Sequence, residues 1–445
     1  MGDLLYERKY MKLSKAEIDR LGDSVRIEKN TLGEDVLNRL QAYRISHKEV
    51  LSFTFNMLCT KSKKIHTSAI VTYRIKRFES IIGKLNRYPD MRFSRMWDIG
   101  GCRCILRNNE EVYKLKDLIL KEESFEIIKE YDYIANPQDN GYKSLHIFLK
   151  HKDFDRIIEV QLRNQTNHDW ATLVEITDVL FDVKVKELGD NKEFLRFHYL
   201  LSKLNDLDMN NKREISRVLT KYNYFETLSE VFSRNYIGVR RGWFEIESKD
   251  KHKFFMIETN KDDVPKIQSF KNSTEAEESY FNVYKTKSNA NIVLTHLQSP
   301  SYKHISIAYS NYLLTFHTFL DECYEILESL IIESLSRKKY YQYFKMYKLY
   351  NSLIYSYVSN LAAEFREVAM YSEETKNKKQ RDRKKEREWA SDIKKKMNTS
   401  SARGKKLAQN FKKNKPKSKI GIFIVRKITR FIEKKYRKKI ENLLG

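Results

Sequence analysis

Hydrophobic and polar positions alternate along the first 200 residues with two different periods. "SKAEIDRLG" opens with Ser14 and Glu17 in capping-box spacing, and Gly22 reads as its stop. Two or three helices fill the stretch up to about residue 70. In "TYRIKRFESIIGKLNRYPD", Ile75, Phe78, Ile82 and Leu85 fall at helical spacing ahead of Pro89, so the segment is expected to be a helix. "MWDIGGCRCIL" follows as a strand after a tight Gly-Gly turn. "EEVYKLKDLILKE" returns to the helical period. "IANPQDNGYKSLHIFL" is a Pro/Asn/Gly loop running into a half-buried strand, with Asn140-Gly141 as its turn. "RIIEVQLRN" alternates as a strand, and "NHDWATLVEITDVLF" starts a helix with Asn167 as its cap. Helices interleaved with short strands predict an α+β domain over residues 1–204, a mixed sheet flanked by helices.

A second, mostly helical α+β region is expected over 205–371. It contains a strand pair, "GWFEIES" and "KFFMIET", around the polar turn "KDKH", and a further strand, "ANIVLTHL". The Tyr/Phe stripe in "KKYYQYFKMYKLYNSLIYSYVSNL" is expected to pack a core. Residues 372–445 form a basic tail. Up to about 419 it is charged, nearly free of large apolar residues, and reads as disordered. "GIFIVRKITRFIEKKYRKKIENLL" then regains helical periodicity with a basic face suited to a membrane surface, RNA or an acidic partner.

Charge sharpens this division. The 445-residue chain carries a formal net charge of +25. From Tyr371 to the end there are 27 basic and 8 acidic residues, which leaves about +19 of the excess in the tail. Such a tail could hold tRNA or another RNA. The four cysteines, Cys59, Cys102, Cys104 and Cys323, have no zinc-site spacing, and their scarcity fits a reducing cytoplasm. No apolar run reaches the roughly 18 residues of a membrane span. The N-terminus "MGDLLYERKYMKL" lacks the apolar centre of a secretory signal.

Candidate chemistry collects in the first domain. In "IIEVQLR", Ile158, Val160 and Leu162 face one way, so Glu159, Gln161 and Arg163 face the other. Asp98 precedes the strand that carries Arg103. Two carboxylates from neighbouring strands can share Mg²⁺, a hard cation that prefers oxygen. The expected helix before Asp98 supplies Arg74, Lys76, Ser80 and Lys84, the last three spaced to share one face, as a triphosphate would require. The loop offers Tyr142, Lys143 and His146. No GxxxxGK[ST] phosphate loop is present, so side chains must hold any triphosphate.

Taken in order, "RIKRFESIIGKL", "DIGGCRCIL", "DYIANPQDNGYKSLH" and "EVQLRNQTNHDWATLVE" resemble the RelA/SpoT-type synthetase domain, over about 74 to 175 and more loosely over the first 200 residues. The resemblance implies a nucleotidyltransferase-like fold and transfer of pyrophosphate from ATP to the 3′ hydroxyl of GDP or GTP, giving (p)ppGpp. It implies that Arg74, Lys76, Ser80 and Lys84 hold ATP, with Arg103 and Arg74 around adenine. Asp98 and Glu159 would bind Mg²⁺, and Glu159 would draw the proton from the attacking hydroxyl. Tyr142 would stack on the acceptor base, with Lys143 and His146 near its phosphates and with Gln161 and Arg163 lining the site.

The departures from the family pattern also carry expectations. No His-Asp hydrolase motif precedes the domain, so synthesis without degradation is expected. "KEYDYI" replaces the charged quartet of long ribosome-associated members, which leaves GDP against GTP open. Some small relatives instead modify the 3′ CCA end of tRNA and inhibit translation, and the basic tail keeps that alternative in view.

Overall fold

The computed structural model describes residues 13–28, 32–181, 191–246, 252–259, 265–286, 291–308, 316–376 and 383–444. Two compact units emerge. One comprises residues 1–138, 142–168 and 249–309, and the other 139–141, 169–248 and 310–445.

The first unit is built on one eight-stranded mixed sheet. Its strands are β1 (Ile70–Ile75), β2 (Gly100–Leu106), β3 (Phe125–Asp132), β4 (Leu145–His151), β5 (Ile157–Asn164), β6 (Phe254–Thr259), β7 (Lys266–Phe270) and β8 (Asn291–Leu297). The order is β3-β4-β5-β2-β1-β8-β6-β7. Only β2 and β5 run parallel; the other neighbours are antiparallel. Alternation gives each central strand one apolar face. Val71, Tyr73, Cys102, Cys104, Ile147, Val160 and Leu162 are all buried in the main core. Helices Lys48–Ile65, Asn109–Leu120 and Ser273–Thr286 contribute Phe55, Leu115 and Tyr280 to the same core.

A second cluster ties helices Lys15–Glu28, Glu34–Ile45 and Phe78–Arg87 together through Leu21, Leu40, Ile81 and Phe93. The capping box forms as read: Ser14 N donates to Glu17 Oε2 at 2.8 Å, and Glu17 N donates back to Ser14 Oγ at 3.3 Å. Gly22 does not end that helix. It lies inside it, where an added Cβ would sit 2.5 Å from Phe93 Cβ, so the glycine is there for close approach.

The structure redraws several expected elements. "TYRI" is strand, and the helix begins only at Phe78. The strand wins because β1 is sandwiched between β2 and β8, and β8 arrives from more than 200 residues away. The Gly100-Gly101 pair opens β2 and is not a turn before it; a Cβ on Gly100 would meet Ile158 Cδ1 at 2.7 Å. The helix Gln165–Leu180 is capped by Asn164, whose Oδ1 accepts from Asn167 N at 2.7 Å. "GWFE" ends the helix Tyr224–Glu245, so the expected hairpin around "KDKH" does not form; β6 pairs with β7 and β8 instead.

The domain boundary at 204 is redrawn for the same reason. Residues 249–309 belong with the first unit, since their strands complete its sheet. The second unit is helical in its described residues. The aromatic stripe does pack a core there, with Tyr343, Tyr350, Leu353 and Tyr357 buried. The stretch read as disordered instead contains the helix Arg383–Asn414; residues 377–382 of it lie outside the described residues. Sparse anchors suffice: Trp389, Ile393 and Leu407 are buried, and Lys396 Nζ reaches the buried Glu364 at 2.9 Å. The terminal helix runs Lys419–Leu444. No described helix is long and apolar enough to cross a membrane.

Candidate active site

Strand register assembles the site. Across the sheet, Thr72, Arg103, Gln161, His146 and Tyr131 form one row, and Arg74, Gly101, Glu159, Phe148 and Lys129 form the next. Those on β1, β2, β4 and β5 lie on the face opposite the main core, because their neighbours in sequence are the buried ones, and pairing with β4 brings Tyr131 and Lys129 of β3 into the same rows. Arg74 and Arg103 therefore share a face, though Arg74 sits on β1 and not on a helix.

Asp98 lies in the turn before β2. Lys76 and Lys84 both donate to its Oδ2 at 2.9 Å. Two elements bring them there: Lys84 from the helix Phe78–Arg87, and Lys76 from the link before it, held by Lys76 N donating to Ile99 O at 2.8 Å. Lys76 is thus not on the helix face expected for it. Ser80 is half-buried one turn before Lys84. Burial alone would raise the Asp98 carboxyl, but the two ammonium groups prevail and draw it down to about 2. Burial draws Lys76 below its ordinary value, against the opposing pull of Asp98, and Lys84 and Arg74 add to the lowering. Asp98 Oδ1 is buried and has no hydrogen-bond partner among the described residues.

The second half of the site is a closed cycle of hydrogen bonds. Arg163 Nη2 donates to Gln161 Oε1 at 3.0 Å, and Gln161 Nε2 donates to Glu159 Oε2 at 2.9 Å. His146 Nδ1 lies 2.9 Å from Glu159 Oε1, and His146 Nε2 lies 2.7 Å from the Tyr142 hydroxyl. Arg163 Nη2 closes the ring onto that hydroxyl at 2.6 Å. Both nitrogens of His146 are thus engaged within the cycle. Tyr142 is not a bare stacking plate: the Arg163 guanidinium lies over its ring, 5.1 Å from the centroid. Lys143 is half-buried beside it, and Gly141 takes φ +89°, as the turn requires.

The cycle also sets protonation. Burial opposes every charge in it, and partners overrule burial. His146 holds the Glu159 carboxyl below its ordinary value, while the nearby Asp98 charge pushes the other way. Tyr142 and Glu159 raise His146. Arg163 and His146 bring the Tyr142 phenol down to about 8.

Sequence reading missed several supporting residues. Tyr131 and Tyr133 lie parallel, centroids 5.7 Å apart, and Tyr133 sets its ring edge-on to both Tyr142 and His146. The alternation in "KEYDYI" was the available signal. Buried Arg44 donates from Nε to Lys76 O at 2.9 Å, and Tyr280 Oη accepts from Ile75 N at 2.9 Å. No local pattern marks either, since their partners are distant in sequence. Among the described residues no group of three or more His, Cys, Asp or Glu could hold a metal.

Residues 73–177 match the profile described as "Region found in RelA / SpoT proteins", so the chain carries a RelA/SpoT-type region over those residues. Among characterised proteins it is 29% identical to GTP pyrophosphokinase YwaC of Bacillus subtilis over 158 residues, 32% of this chain and 74% of that protein. It is 27% identical to GTP pyrophosphokinase YjbM of the same organism over 111 residues, 23% of this chain and about half (53%) of that protein. Among solved structures, small alarmone synthetase 2 from Bacillus subtilis aligns with a TM-score of 0.30 at 26% identity, covering 36% of this chain and 90% of that one.

Proposed function

We propose that the chain moves a pyrophosphate group from ATP to the 3′ hydroxyl of GDP or GTP. One observation carries this reading: the closed ring that holds Glu159 ionised and oriented, with Asp98 and its two lysines close enough for the carboxylates to feel each other. The matched RelA/SpoT region and the relatives named GTP pyrophosphokinase support it.

In this proposal Glu159 takes the proton from the acceptor 3′ hydroxyl. The freed oxygen attacks the β-phosphorus of ATP, the bond to the bridging α–β oxygen breaks, and AMP leaves with that oxygen. Lys76 and Lys84 exchange the Asp98 carboxylate for phosphate oxygens, helped by Ser80. Arg74 and Arg103 flank adenine. Tyr142 stacks the acceptor base on the ring face away from Arg163, a contact worth about 1–3 kcal/mol. Lys143 meets acceptor phosphate, and Gln161 and Arg163 fix the Glu159–His146–Tyr142 geometry. Mg²⁺ fits this donor set: Asp98 offers its unpartnered buried Oδ1, Glu159 is the second carboxylate, and Mg²⁺ commonly takes only one or two carboxylates plus phosphate. Bound there, the ion would neutralise charge on the transferred group.

The test is incubation with γ-³²P-ATP, offering GDP, GTP, ADP and bulk tRNA in parallel. Label is expected in a guanosine nucleotide. Label only in tRNA, or in nothing, overturns the reading. Glu159→Gln is expected to lower transfer by at least about 10²-fold, with the circular dichroism spectrum unchanged.

A further inference from the structure

The first unit holds a partly open pocket of about 420 Å³ that shares no residue with the site above. That size lies within the range of small-molecule pockets, about 300–1,000 Å³. Ile157 and Lys150, register partners on β5 and β4, line it from the sheet face that carries Glu159 and His146. The turn around Phe93–Arg95 and the start of the helix Lys15–Glu28 form other walls.

Its charge is one-sided. Lys15, Arg92, Arg95, Lys150 and Arg156 line it, against only two acids. Both acids are already engaged: Asp19 Oδ1 accepts from Ser94 N at 2.9 Å, and Asp155 pairs with Lys150 at 3.0 Å. Arg156 is anchored, with Nε donating to Ser46 Oγ at 2.8 Å and Nη1 to the Asp155 carbonyl at 2.9 Å. Its guanidinium lies over the buried Tyr43 ring, 5.3 Å from the centroid. Its Nη2 is buried and has no hydrogen-bond partner among the described residues. A buried donor left unsatisfied is costly, and an anionic oxygen is the acceptor that relieves it best. Burial and Arg156 hold His47 down to about 3, so that imidazole adds no charge. Ile18, Met96 and the half-buried Trp97 supply apolar wall.

We propose that this cavity binds a phosphate monoester with a small aromatic or apolar body. Three guanidinium groups around one cavity favour a planar-donor match to a phosphate dianion over a single carboxylate. Trp97 and its apolar neighbours account for the organic body. The proposal stands apart from the transfer reaction and does not depend on it.

The test is calorimetric titration of the full chain with phenyl phosphate, with inorganic phosphate and phenol as half-ligands. Saturable one-site binding of phenyl phosphate is expected, weaker for phosphate and none for phenol. Arg95→Ala, at an exposed side chain, should weaken binding about tenfold, while Lys84→Ala should leave it unchanged. Absence of saturable binding overturns the proposal. So does binding that survives Arg95→Ala, or that disappears in Lys84→Ala, which would put the probe at the transfer site.

Discussion

Replacing Asp98 by Asn tests the electrostatics of the site directly. The carboxylate is largely enclosed, with 19% of its side chain exposed, and takes two ammonium groups at 2.9 Å. Its fall from 3.8 to about 2 means that the folded state favours the charged form. At about 1.4 kcal/mol for each tenfold, that preference is worth about 2 kcal/mol at neutral pH. The folded-state value is depressed, so the contribution is complete above the unfolded value near pH 4 and is lost as pH falls through about 2. Asn removes the charge and leaves Lys76 and Lys84 facing each other. Urea unfolding followed by circular dichroism should therefore show the variant about 2 kcal/mol less stable at pH 7, with the gap shrinking to about half at pH 3. A gap equally wide at both pH values would refute the charge argument. A variant as stable as the parent, or more so, would show that Asp98 is held at a net cost to folding.

Tyr142→Phe keeps the ring and removes the hydroxyl from Arg163 and His146; the His146 titration, read by NMR, should move down, and acceptor KM should rise less than in Tyr142→Ala. Tyr280→Phe strands the Ile75 N–H on β1 and should cost about 1–3 kcal/mol; chemical denaturation measures it, and a raised KM for ATP would show that helix Ser273–Thr286 positions Arg74 and Lys76. Lys396→Ala leaves Glu364 buried without its ammonium and should cost about 3–5 kcal/mol; no change in thermal unfolding would mean that the helix Arg383–Asn414 does not dock through that pair.

The sequence by itself determined what depends on near neighbours. The capping box at Ser14, the alternation of Glu159, Gln161 and Arg163 along β5, and the strand after Gly141 need only local periodicity and turn chemistry, and each stands where it was read. The four ordered motifs carried the resemblance for the same reason, since each is contiguous in the chain, and the matched region spans residues 73–177. Tertiary structure decided whatever needed a distant partner. It made "TYRI" a strand by giving it β8, returned residues 249–309 to the first unit, and held helix Arg383–Asn414 with a few buried contacts in a charged stretch. It also closed the ring from Arg163 to Tyr142 through His146, which lies on a different strand from Glu159. Periodicity reports which face a side chain takes; only strand pairing across the sheet sets which side chains from other segments meet it there, and that pairing is fixed by the burial of the whole core.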